Sequence, residues 1–112
     1  QTVTVSPLPN NNGFRLRMQS TGTADVPLAV EINLRPGGKL EGVKPAHNVP
    51  DGFVLDAGHA TYRVGEHAVR FGPGVTAHMY TQLRGAAPKL PGLSVYITGF
   101  TPFDRIVDFE AV

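Results

Sequence analysis

The chain has 112 residues, with 13 Gly, 10 Pro, no Cys, no Trp and a formal net charge of +1. That length fits a single domain spanning 1–112 and leaves no room for two ordinary ones. The charge balance excludes the basic field that nucleic-acid binding needs, and the missing cysteines exclude disulfides, thiolate zinc, iron–sulfur clusters and thiol nucleophiles.

Period-two alternation dominates from the first residues onward. Thr2–Leu8 opens with Val3 and Val5 on one face. Pro9-Asn10-Asn11-Asn12-Gly13 is a turn cluster, because Asn and Gly tolerate positive φ. In Gly13–Ser20, Phe14, Leu16 and Met18 alternate with Arg15, Arg17 and Gln19; the simplest reading of the two arginines is a solvated face whose stems cover apolar surface. In Pro27–Leu34, Leu28, Val30, Ile32 and Leu34 share a face, and Pro36-Gly37-Gly38 ends the strand. Val43–Gly52 holds Pro45, Pro50 and Asp51-Gly52 and reads as a loop or irregular edge, followed by a short apolar Gly52–Leu55.

Ala60–Val64 and Ala68–Phe71 form two short strands joined at Gly65-Glu66, and Gly72-Pro73-Gly74 is a tight bend. Val75–Leu83 is expected to be a strand, with His78, Tyr80, Gln82 and Arg84 on one face. Gly85–Gly92 is a loop with Pro88 and Pro91. Leu93–Gly99 is expected to point Leu93, Val95 and Ile97 inward and Ser94, Tyr96 and Thr98 outward. Ile106–Val112 closes the chain after an interruption at Pro102. Glycine and proline thus fall between the runs, where they cost least, and no sustained helical period exists. The pattern predicts an all-β, antiparallel β-sandwich, jelly-roll-like, of eight to ten short strands. No apolar run approaches the ~18 residues of a membrane-spanning helix. The chain opens on Gln1 rather than Met, which reads as a processed or excised segment.

Two constellations bear on chemistry. His78, Tyr80, Gln82 and Arg84, with Arg70 and Tyr96 nearby, would give a sheet face of rings and planar donors. Such a face suits a sugar: rings stack on a pyranose, and donors hold hydroxyls or a uronate carboxylate. The same residues would equally serve as the solvated outer face of an antiparallel sheet. The absence of Trp removes the strongest stacking residue. His47, His59, His67 and His78 show no metal-ligand spacing, so no metal site and no cofactor is predicted, with structural calcium left open. Asp104, Asp108 and Glu110 cluster near the end without the cleft a glycosidase pair requires, so no catalytic residue is assigned.

Gly65-Glu66, Gly72-Pro73-Gly74 and His78 are similar to the second motif of the cupin family. The spacing differs by about one residue, and the first motif, with its paired His and Glu, is missing. More broadly, Ala60–Gly74, Leu83-Arg84-Gly85, Val95–Gly99 and Thr101-Pro102-Phe103 resemble β-sandwich accessory domains at the C-termini of secreted bacterial polysaccharide-degrading enzymes. The resemblance implies an extracellular or periplasmic, non-catalytic module. Its partners would be a polysaccharide or oligosaccharide, acidic glycans included, and a parent catalytic domain, with no nucleic acid and no membrane. The alternatives are a structural or protein-interaction β-domain docking on a partner, and a degenerate cupin-like protein.

Overall fold

In the computed structural model, residues 1–46, 49–77 and 91–112 are described. Among them ten strands form two sheets: β1 (Thr2–Pro7), β2 (Gly13–Ser20), β3 (Pro27–Leu34), β4 (Lys39–Glu41), β5 (Lys44–Pro45), β6 (Gly52–Val54), β7 (Ala60–Val64), β8 (His67–Gly72), β9 (Leu93–Phe100) and β10 (Phe103–Ala111). No helix occurs among the described residues. One sheet runs β1-β2-β10-β8-β7-β4 and the other β3-β9-β6-β5. The pairing is nested, β2 with β10, β3 with β9, β4 with β7 and β5 with β6, which is how a jelly roll wraps. The all-β sandwich expected from the alternation is therefore present. It departs from a purely antiparallel arrangement at one place, where β6 lies parallel to β9.

The alternation of apolar residues decides the inner face of the six-stranded sheet. Phe14, Phe109 and Phe71 lie in register across β2, β10 and β8 and stack, with ring centroids 4.9 Å and 5.3 Å apart. Val107, Met18 and Ala60 continue this face and meet Val95 and Ile97 from β9. Each large side chain removed fully from water contributes about 1.5–3 kcal/mol. The four-stranded sheet is the narrower one. At the opposite margin β1 overhangs, so Val3 and Val5, in register with Met18 and Leu16, remain 58% and 64% exposed.

Three expectations need correction. Val75–Ala77 is not strand; instead Val75 accepts a bond from the Thr98 amide (3.1 Å) and the Ala77 amide donates to Thr98 Oγ1 (2.9 Å). The last strand starts at Phe103, directly after Pro102, rather than at Ile106. Tyr96 does not face outward: Ser94, Tyr96 and Thr98 are as buried as Val95 and Ile97. β9 is an interior strand whose second face packs Tyr96 against Ala46, Val54, Ala29 and Val49.

Candidate functional site

The outer face of the six-stranded sheet collects the charges of β2, β8 and β10. Arg15 sits directly opposite Asp108, and the pair is bidentate, Nε to Oδ1 at 2.7 Å and Nη2 to Oδ2 at 3.0 Å. One strand over, Arg70 sits opposite Glu110, donating from Nε to Oε1 at 2.9 Å and from Nη2 to the same oxygen. Arg17 reaches diagonally to Asp104 through bonds of 3.0 Å and 2.7 Å. The guanidinium beside each carboxylate holds Asp104 and Asp108 below the ordinary carboxylate range, chiefly by hydrogen bonding, and the carboxylates raise Arg15 and Arg17 in turn.

Asp108 has Gly72 as its other cross-strand neighbour. Gly72 has φ +148°, and a Cβ there would crowd the Gly58 carbonyl and the His59 ring. The missing side chain lets His59 lie against β8, where it acts electrostatically on Asp108. A depression of about 410 Å³ results, lined by Arg15, His59, Arg70, Asp108 and Glu110 and rimmed by Asn10 of the β1–β2 turn. Each guanidinium has five N–H donors and spends two on its carboxylate, which leaves three for another partner. Carboxylate oxygens supply acceptors beside them. The hydrogen bonds from Arg15 hold the Asp108 carboxyl below the ordinary range, so it faces the depression as a carboxylate acceptor.

Of the residues predicted from sequence, Arg70 lies in this depression, while Tyr96 is buried on the other sheet and spends its hydroxyl on Glu31 (2.7 Å). His78, Tyr80, Gln82 and Arg84 lie outside the described residues. Arg15, His59, Asp108, Glu110 and Asn10 are additions. The signal for Arg15, Asp108 and Glu110 was same-parity opposite charge, Arg15 and Arg17 on one strand and Asp104, Asp108 and Glu110 on another; His59 and Asn10 carried none. It becomes meaningful only once strands 93 residues apart are known to pair. Among the described residues no group of three or more His, Asp or Glu is placed to hold a metal. Comparison with protein families, curated proteins and solved structures finds no match to this chain.

Proposed function

We propose that this domain is a non-catalytic carbohydrate-binding accessory module of an extracellular polysaccharide-degrading enzyme, and that the ligand is a neutral, hydroxyl-rich glycan held on the outer face of the six-stranded sheet. The observation that carries the reading is the interleaving of donors and acceptors in the 410 Å³ depression. A sugar hydroxyl both donates and accepts, so it matches a guanidinium beside a carboxylate better than a pure anion does. Charge points the same way: Arg15 and Arg70 are cancelled by Asp108 and Glu110, so nothing there favours a polyanion such as a uronate chain.

Affinity electrophoresis against neutral and uronate-containing polysaccharides tests this. Retardation by at least one neutral glycan is expected, reduced in Arg70→Ala and in Arg15→Ala while both variants keep a cooperative unfolding transition. Absence of retardation by every glycan, or undiminished retardation in both variants, refutes it.

A further inference from the structure

We infer that β1 is a self-pairing edge through which two copies of this chain join into one continuous sheet. The inference rests on the edge of the fold and is independent of the glycan reading. Sheets normally protect their edges with short strands, charge or proline. Among the described residues the two sheets have four edges, and three of them conform: β4 is three residues with Lys39 and Glu41, β5 is two residues ending in Pro45, and β3 carries Pro27 and Glu31. The fourth, β1, is Thr-Val-Thr-Val-Ser-Pro. It is uncharged, exposed along its length and unbroken in register from Thr2↔Gln19 to Pro7↔Phe14.

The direction of its backbone groups follows from the hairpin. The Leu8 amide donates to the Gly13 carbonyl at 3.0 Å, and bonded pairs alternate in an antiparallel ladder. Thr2, Thr4 and Ser6 therefore bond to β2, while Val3 and Val5 turn their N–H and C=O toward the open edge. Pro7, which has no N–H to give, falls on the outward side, where proline is tolerated.

The occupant is identified by the edge's own symmetry. Thr2-Val3-Thr4-Val5-Ser6 alternates hydroxyl and apolar residues identically from either end. An antiparallel pair centred on Thr4 sets Val3 of each copy against Val5 of the other. All four outward backbone groups of each edge are then bonded, without calling on Pro7, and four valines join on one face. Val3 and Val5 are 58% and 64% exposed in the single copy and would gain each other as lateral apolar neighbours in the pair. No like charges meet, because β1 has none and the neighbouring Arg15 and Arg17 are neutralised by Asp108 and Asp104. The two-fold is isologous and closes at a dimer.

The chain has no cysteine, so single-cysteine variants report the register directly. In the pair centred on Thr4, the two Thr4 Cα atoms lie about 4.5 Å apart, within disulfide reach, whereas the two Ser6 positions are several residues apart. Under mild oxidation Thr4→Cys should give a disulfide-linked dimer and Ser6→Cys should not. Sedimentation equilibrium should show twice the monomer mass for the unaltered chain. Dimerisation should weaken roughly tenfold or more in Val5→Pro, which removes an outward N–H from each copy, and also in Val5→Lys. An unaltered chain that stays monomeric at millimolar concentration overturns the inference. So does equal cross-linking of the two cysteine variants, or an unchanged dimer in a folded Val5→Pro or Val5→Lys chain.

Discussion

The Tyr96 hydroxyl donates a 2.7 Å hydrogen bond to Glu31 Oε2 across the β3–β9 pair, where the two residues stand directly opposite one another. The ring is fully buried, so its polar end needs a partner inside the four-stranded sheet. Removing the hydroxyl takes a donor from the carboxylate and replaces it with nothing. Tyr96→Phe should lower stability by about 1.5–3 kcal/mol, seen as a lower urea midpoint with an unchanged slope. Glycan retardation should be unaffected, since Tyr96 lies on the other sheet from the depression.

Gly72 separates stability from binding less cleanly. A Cβ there meets the Gly58 carbonyl, which accepts the Gly74 amide at 3.1 Å, and the His59 ring. Gly72→Ala should cost about 1–3 kcal/mol through backbone strain and crowding. It should also displace His59 from the edge of the depression, which a shift of the His59 imidazole resonances would register. An unmoved imidazole signal with full stability would show that the close approach does not shape the site.

The aromatic ladder on the inner face is graded by burial. Phe71 is 1% exposed and Phe14 43% exposed at the two ends of one stack. Phe71→Ala should cost about 3–5 kcal/mol, and Phe14→Ala about 1 kcal/mol. Equal losses in chemical denaturation would contradict that ordering.

Acid should weaken the fold through the outer-face carboxylates. Asp104 and Asp108 are held below their ordinary value of 3.8 by Arg17 and Arg15, and Asp56 by Thr76 and then Lys44. A carboxylate with a depressed folded value binds protons less readily folded than unfolded. Its contribution is therefore complete above the ordinary value and is lost as pH falls through the depressed one. The urea midpoint should hold from neutrality to about pH 5 and drop below about pH 4. The drop should be shallower in Arg15→Ala/Arg17→Ala and in ~1 M salt, which screens exposed pairs.

Much of the sandwich could be read from alternation, because a strand with one solvated face advertises it. Phe14, Leu16 and Met18 against Arg15, Arg17 and Gln19 gave β2 its limits and its inner face. The same rule misled at β9. Leu93–Phe100 has no charged residue in eight, which is how a strand covered on both faces reads, and Ser94, Tyr96 and Thr98 looked outward only because they carry hydroxyls. The depression was hidden for a different reason. Its charges come from β2, β8 and β10, far apart in the chain, and local sequence says nothing about which strands become neighbours. β4 was missed because three residues are too few to show a period.

Arg15 and Arg70 find their acids on β10, which pairs with both β2 and β8. The depression is therefore assembled only when β10 lies between β2 and β8, so it cannot outlive a partial unravelling of that strand. Ligand occupancy would act as a clasp on β10, and slowed amide exchange along Phe103–Ala111 would be its signature.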